Sequence, residues 1–429
     1  MSLETLNPRL HKISEILEPI SERFNLGQTL APRGKRPISI LAYVKLAIFR
    51  AIMGLTYRDL AQATKENLSL RMFADILSVF MISKSTLQEN ISSLSEDLVK
   101  TINEALALAH GDFSRIRLDS TSVAANIAPP ENSSLLLATV QRIRKIQDEI
   151  SKIFEAGVFS FFAPGDHAKR LAYDIKFEKP DTEKRLNLYT DLLLMNANVM
   201  DKIDTMMVEA QMRTSELKTN ARVNRLNKLV HEMAFIKEKI SCVIAQTIAF
   251  LEHDKTIEAK EKLFTVANNM EHVDIIIKSK RGIVYGHKID LIEAKNGVII
   301  GLTIYEGNPA DSSNLQQVVS SLISVYGDRI NDIVADGGYN SIENLAEVKK
   351  LGVKKMVFSR KRSLSEEDMG TTKEKYQSDK NFRAGIERAI GRLKQRFGFR
   401  KVICTTFERF RLYLNFAVLA ANVCRIALF

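Results

Sequence analysis

The chain has 429 residues, of which 45% are hydrophobic and 26% charged; these are ordinary values for a folded protein and exclude a disordered chain. Its 62 Lys and Arg against 51 Asp and Glu give a net charge of +11, a hint of a polyanionic partner that carries little weight alone. Three widely spaced cysteines, Cys242, Cys404 and Cys424, exclude a disulfide framework or a Cys-rich zinc module and fit a reducing cytoplasm. No apolar run approaches the ~20 residues that span a bilayer, and the first residues lack an apolar signal core, so no membrane association is expected.

Residues 1–111 read as helices. Ile40, Leu41, Val44, Leu46, Ala47 and Ile48 form an apolar helical stripe. Gly54-Leu55-Thr56 breaks it, and Thr56 suits the N-cap of a helix that starts at Tyr57. Ser83-Lys84-Ser85-Thr86-Leu87 opens another. Short helices with tight turns are compatible with a DNA-binding helix-turn-helix and equally with a helical bundle that binds nothing. Ile116 and Leu118 then alternate with Arg115 and Arg117 in a strand expected to end at Asp119-Ser120-Thr121. Residues 126–134 are expected to form a loop.

Residues 135–262 are mostly helical, with stripes at Leu135, Leu136, Val140, Ile143, Ile146 and Ile150 and at Leu226, Leu229, Val230, Met233, Ile236 and Ile240. After residue 264 the pattern turns β-like. Strands are expected at 273–277, 283–292 and 298–304, with Asn296-Gly297 as a hairpin turn between the last two. Asn308-Pro309-Ala310-Asp311 is expected to cap a helix over 312–325. A strand over 332–335 ends in Asp336-Gly337-Gly338-Tyr339. A helix over 342–350 and a strand over 354–358 follow. Residues 361–379 are polar and read as a mobile loop, and helices over 380–396 and 407–428 close the chain. The expected class is α/β, one mixed sheet interrupted by a long helical insertion.

Charge is unevenly spread. Residues 1–111 carry 13 basic and 11 acidic side chains, whereas residues 380–411 carry ten basic ones against Glu387 and Glu408. A basic excess so concentrated is what a nucleic-acid surface needs. Two strand-end aspartates, Asp119 and Asp336, can lie side by side at one sheet edge, and a helix across that sheet can bring Glu387 to them. Three clustered carboxylates repel unless cations neutralise them. Oxygen-only ligation suits Mg²⁺, and two such ions would stabilise an in-line phosphoryl displacement. Singly, each residue has a plainer reading: a turn aspartate for Asp119 and Asp336, an i,i+4 ion pair with Arg383 for Glu387. Arg383, Glu387 and Lys394 share one helical face, which sets a carboxylate among phosphate-binding cations.

With these residues in view, the chain resembles a bacterial insertion-sequence transposase of the DDE superfamily. The matching residues are Asp119 in LDSTSV, Asp336 in ADGGYNS, and Arg383, Glu387 and Lys394 in FRAGIERAIGRLKQRFG. The last segment keeps the Arg, Glu and Lys spacing of the superfamily pattern Y-x-x-R-x-x-x-E-x(6)-K. Lys380 stands at the Tyr position, and Phe382 is out of register with it. DSTSVAANIAPPENSSLL, VYGHKIDL, YEGNPADSSNL and FAVLAANVCRIA are similar to segments of the ISNCY group. GLTYRDLAQATKENLSLRMF with SKSTLQ resembles the terminal-repeat DNA-binding region of such enzymes. There is no Trp, on which some relatives stack a flipped base, so that route would need Phe or Tyr.

The resemblance implies an all-α DNA-binding domain over 1–111. It implies a ribonuclease H-like mixed sheet with flanking helices over 112–134 and 264–429, and a mostly helical insertion over 135–263. It further implies Mg²⁺-dependent phosphodiester hydrolysis at the element ends, then attack of the freed 3′-OH on target DNA. Asp119, Asp336 and Glu387 would be the catalytic metal ligands, holding two Mg²⁺ ions for which Mn²⁺ can substitute. Arg383 and Lys394 would contact DNA phosphates, with Arg388, Arg392, Arg396, Arg400 and Lys401 as further backbone contacts or as a merely solvated face. His287 either lines the site or is structural. Double-stranded DNA is the expected partner, in a homodimer or larger assembly, in the bacterial cytoplasm at the nucleoid. Two alternatives stand: a ribonuclease H-like nuclease that cuts without integrating, and an inactive or domesticated transposase that only binds DNA.

Overall fold

The computed structural model describes residues 7–29, 38–77, 81–128, 130–179, 182–253, 262–266, 273–278, 282–360 and 364–427. The chain divides into two compact units, residues 1–126 with 275–429 and residues 127–274. Among the described residues no single helix is long and apolar enough to cross a membrane.

Six helices open the first unit: α1 (Pro8–Phe24), α2 (Ile40–Met53), α3 (Tyr57–Glu66), α4 (Leu68–Phe73), α5 (Lys84–Ser92) and α6 (Glu96–His110). Local chemistry sets their ends. Gly54 closes α2 in the left-handed conformation at φ 64°, where a side chain would be strained. Thr56 Oγ1 accepts from Asp59 N and Asp59 Oδ2 accepts from Thr56 N, each at 3.2 Å, a reciprocal box that satisfies two orphan donors of α3. Ser83 Oγ caps α5 by accepting from Thr86 N at 3.1 Å. Strand β1 (Ile116–Ala124) follows.

The second unit contains α7 (Asn132–Phe154), α8 (Gly165–Phe177), α9 (Glu183–Met212) and α10 (Asn220–His253). The two apolar stripes expected from the sequence are buried along their whole length in one core, together with Leu192, Val199, Ile203 and Met206 of α9.

The first unit resumes with β2 (Asp274–Lys278), β3 (Gly282–Ala294), β4 (Ile299–Ile304), α11 (Asp311–Tyr326), β5 (Asp332–Ala335), α12 (Ile342–Lys350), β6 (Lys355–Phe358), α13 (Lys373–Ala384), α14 (Ile386–Arg396) and α15 (Phe407–Ile426). The six-stranded sheet runs β2-β3-β1-β5-β6, with β4 also paired to β3. β1 is antiparallel to β3, β3 to β4, and β1-β5-β6 is parallel. Asn296-Gly297 makes the β3–β4 hairpin turn, with Gly297 at φ 88°.

Period-two alternation divides β1 between two layers. Ile116 and Leu118 join a core with Leu315, Val318 and Val319 of α11 and with β5 and β6. Arg117, Asp119 and Thr121 face the opposite way, toward α13 and α14. Helix α15 carries Asn422, whose amide bonds both backbone groups of Ile299 at 2.7 Å and Asn103 of α6 at 2.8 Å. These buried polar bonds join the N-terminal helices to the sheet with every partner satisfied.

The structure corrects four expectations. First, Asp119 does not end its strand. β1 continues to Ala124 because β3 pairs with it that far, opposite Gly286, and only the β5 pairing stops, at Leu118↔Ala335. Second, residues 373–379 are helical and not loop. Thr372 caps α13, and Asp379, only 2% exposed, anchors it by bonds to Lys355 (3.0 Å), Thr371 (2.6 Å) and Arg115. A helix held by a buried charge rather than an apolar stripe has no hydrophobic period to read. Residues 361–363 of the expected loop lie outside the described residues, as does residue 428 of the expected last helix. Third, the helix expected over 380–396 is two helices. The Arg117 guanidinium enters at Gly385 and donates to Phe382 O at 3.0 Å, and a Cβ on Gly385 would collide with it; an inserted side chain is a recognised cause of a helix break. Fourth, α11 begins at Asp311 with Ala310 at the N-cap and no side-chain capping bond.

Candidate active site

The site forms where β5 parts from β1. Beyond Leu118 that edge of β1 has no β5 partner, and residues 400–402 take it up only at Ala124, where Ala124 N donates to Arg400 O (3.2 Å) and Val402 N to Ala124 O (3.0 Å). Asp119 stands just past the parting point, and Asp336 follows the last residue of β5. Helices α13 and α14 cross this face and supply Arg383 and Glu387. One guanidinium joins all three carboxylates. Arg383 Nη2 lies 2.7 Å from Asp119 Oδ2 and 3.0 Å from Asp336 Oδ1, and Nη1 lies 3.0 Å from Glu387 Oε1. Exposure rises across the group, from 11% for the Asp119 side chain to 36% for Asp336 and 64% for Glu387, so the site opens to solvent on the Glu387 side.

The two aspartates titrate in opposite directions. Burial pushes Asp119 up to about 6; the Asp336 charge adds to this, while Arg383 opposes it. Burial also acts to raise Asp336. Arg383, the Ser359 hydroxyl at 2.9 Å and the backbone N–H groups of Gly337 and Gly338 outweigh it and hold Asp336 below its ordinary value. Burial acts to lower Arg383, but the carboxylates prevail and raise it. Such opposed shifts at clustered carboxylates mark functional sites more often than structural ones.

Each residue of the Asp336-Gly337-Gly338-Tyr339 turn has a physical reason, that of Gly337 being the Arg360 side chain, into which a Cβ would run. Asp336 Oδ2 accepts from Gly338 N at 3.4 Å. A Cβ on Gly338 would collide with the Asp311 carboxylate. Tyr339 is fully buried and donates to Asp290 Oδ1 at 2.7 Å, while Tyr305 donates to Oδ2 at 2.7 Å. Burial pushes Asp290 up to about 6. Asp311 in turn pairs with Lys288. This polar cluster pins the turn that carries Asp336.

Lys394 Nζ donates to Thr121 Oγ1, so Asp119 and Thr121, two apart on β1, meet Arg383 and Lys394 on the helices. Arg388, Arg396, Arg400 and Lys401 are exposed, and Arg392 is half-buried. Lys380 lies over the ring of Tyr376, one turn earlier, at 5.8 Å. Phe382 packs between Arg115 (4.3 Å) and Arg117 (5.0 Å) beneath the helix. His287 is fully buried against Phe407 and Phe410, at 4.5 and 4.8 Å between centroids.

Sequence reasoning missed Arg117, Glu293, Ser359, Tyr339 and Asp290. Arg117 Nε bonds Glu293 Oε2 at 2.7 Å in the interior. The period-two pattern that set Arg117 on the face of Asp119 was the available signal. For Ser359 and Asp290 no local signal existed. The donor set suits a hard divalent ion, being three oxygen carboxylates and no thiolate or imidazole. As they stand, no three potential ligands among the described residues are close enough to share one ion; the Arg383 guanidinium is the cation the carboxylates meet.

Residues 280–423 match the family model described as Transposase DDE domain. The match takes in Asp336, Arg383, Glu387 and Lys394 and leaves β1 with Asp119 outside it. The mixed sheet with flanking helices and an N-terminal helical region is the ribonuclease H-like arrangement expected of such a domain. No curated protein and no solved structure is significantly similar to the chain.

Proposed function

We propose that the chain is a DNA transposase that hydrolyses phosphodiesters at insertion-sequence ends and transfers the resulting 3′-OH into target DNA with Mg²⁺. The observation that carries this reading is the convergence of Asp119, Asp336 and Glu387 from three separate elements on one guanidinium, inside a domain that matches a transposase family. Bound between these carboxylates, divalent ions would supply Lewis-acid stabilisation of the attacking and leaving oxygens.

The protein's own part is positional. The strand edge and the pinned Asp336 turn hold two carboxylates on rigid backbone, and α14 presents the third toward solvent, where a DNA strand can approach. Lys394, half-buried on the same face of α14 as Glu387, suits a phosphate. Arg383 has donors for a phosphate once its carboxylates are neutralised by metal. The exposed Arg388, Arg400 and Lys401 extend the basic surface along the strand, and the N-terminal helices suit terminal-repeat recognition. DNA in a dimeric or larger assembly is the expected substrate complex.

A strand-transfer assay with precut element ends and Mg²⁺ tests the reading. Joined product that disappears in Asp119→Asn, Asp336→Asn and Glu387→Gln, with end binding retained, supports it. Cleavage without joining would make the protein a nuclease, and binding without either reaction would make it a DNA-binding protein.

A further inference from the structure

Besides the carboxylate site, the first unit holds a cavity of about 810 Å³ against the other side of α14. At about 100° per residue, Arg392 lies some 140° round the helix from Glu387. The cavity wall is apolar on one side, with Phe49, Ile52 and Met53 of α2, and basic on the other, with Arg392 and Arg396 of α14 and Arg425 of α15. Arg9 of α1 also lines it, and among the described residues no carboxylate does.

Arg392 is the telling residue. It is half-buried, and its Nε has no hydrogen-bond partner among the described residues. Burial holds its pKa below the ordinary value. The carboxylate that acts on it, Glu293, is already bound by Arg117 at 2.7 Å. Arg425 is fixed by bonds from Nε and Nη2 to Asn296 O at 2.9 and 2.7 Å, so its guanidinium is oriented before any ligand arrives. A desolvated cation without a counter-ion costs stability. Arg392, half-buried beside the exposed guanidiniums of Arg396 and Arg425 and facing an apolar wall, makes this space suited to an anion.

We propose that this cavity binds a nucleoside phosphate unit, with the phosphate on Arg392, Arg396 and Arg425 and the base against Phe49 and Met53. The guanidinium fork matches phosphate oxygens. Aromatic and thioether surfaces accept the flat face of a base, and the volume suits a molecule of nucleotide size. The unit comes either from a free nucleotide or from the strand the protein handles; only the second source rests on the transposase reading.

The test is titration of the full chain, followed by calorimetry, with dAMP, deoxyadenosine, inorganic phosphate and a five-nucleotide single strand. dAMP should bind at least tenfold more tightly than deoxyadenosine or phosphate. Arg392→Gln and Met53→Glu should each weaken it at least tenfold. Met53 is 58% exposed, so the glutamate can be borne by the fold while repelling phosphate. Because Arg392 lacks a partner at Nε, Arg392→Gln should leave the unfolding midpoint unchanged or raised. Competition between the short strand and dAMP assigns the site to DNA, and dAMP binding that the strand leaves untouched assigns it to a free nucleotide; both support the site. dAMP that binds no better than phosphate, or equally in both variants, overturns it. Asp119→Asn separates the two proposals, since it should stop strand transfer and leave dAMP binding intact.

Discussion

Replacing Asp119 with Asn should make the metal-free protein more stable at neutral pH while removing its reaction. Asp119 moves from the ordinary aspartate value of 3.8 to about 6 in the folded chain. A rise of about two pH units corresponds to about 3 kcal/mol between the two protonation states. That is what remains after Arg383 has acted in the opposite sense. An acid whose pKa rises on folding favours the proton-bound fold. Its stabilising contribution is complete below about pH 4 and is lost as pH climbs through about 6. Asparagine imitates the protonated form at every pH. In denaturant titrations with chelator, Asp119→Asn should therefore exceed the parent by about 3 kcal/mol at pH 8 and match it at pH 4. Mg²⁺ should stabilise the parent at pH 8, by about 2.7 kcal/mol at a hundredfold excess over its dissociation constant, and the variant far less. A variant no more stable than the parent at pH 8, or equally favoured at both pH values, would refute the reasoning.

Asp336→Asn and Glu387→Gln should abolish strand transfer and leave end binding measurable by gel shift; full activity in either removes that residue from the site. Lys394→Ala should weaken DNA binding and lower the salt dependence of log K by about one phosphate contact, and an unchanged slope would argue against such a contact. Arg383→Gln takes away the charge that holds Asp336 low and Asp119 down from a still higher value, so both should keep their protons to higher pH. Calorimetry should then show the onset of divalent-ion binding moved upward in pH, and an unmoved onset would count against the shared guanidinium. Gly385→Ala should cost about 1–3 kcal/mol of stability through overpacking against Arg117, read from chemical denaturation.

Local chemistry in the sequence was enough for much of the fold. Alternation around Ile116 and Leu118, helical stripes over 135–150 and 226–240, the Asn296-Gly297 turn and the Thr56 cap each depend on neighbours within a few residues. So does the face shared by Glu387 and Lys394, seven residues apart on α14, whereas Arg383 lies on α13, before the break at Gly385. The motif contexts of Asp119, Asp336 and Glu387 likewise single out the three carboxylates that the fold brings to one guanidinium. What local pattern could not carry was whatever rests on a distant partner. Asp119 looked like a strand end because the sequence does not say that β3 extends the strand to Ala124 while β5 stops short. Residues 373–379 of α13 read as loop because Asp379, and not an apolar stripe, holds them to Arg115 and Lys355. The helix break at Gly385 needs Arg117, which lies 268 positions earlier, and the Asp336 turn needs Asp290 and Ser359. Hydrophobic period and capping are short-range and leave a mark on the sequence; buried ion pairs and strand register join residues far apart in the chain, so only the tertiary structure decides them.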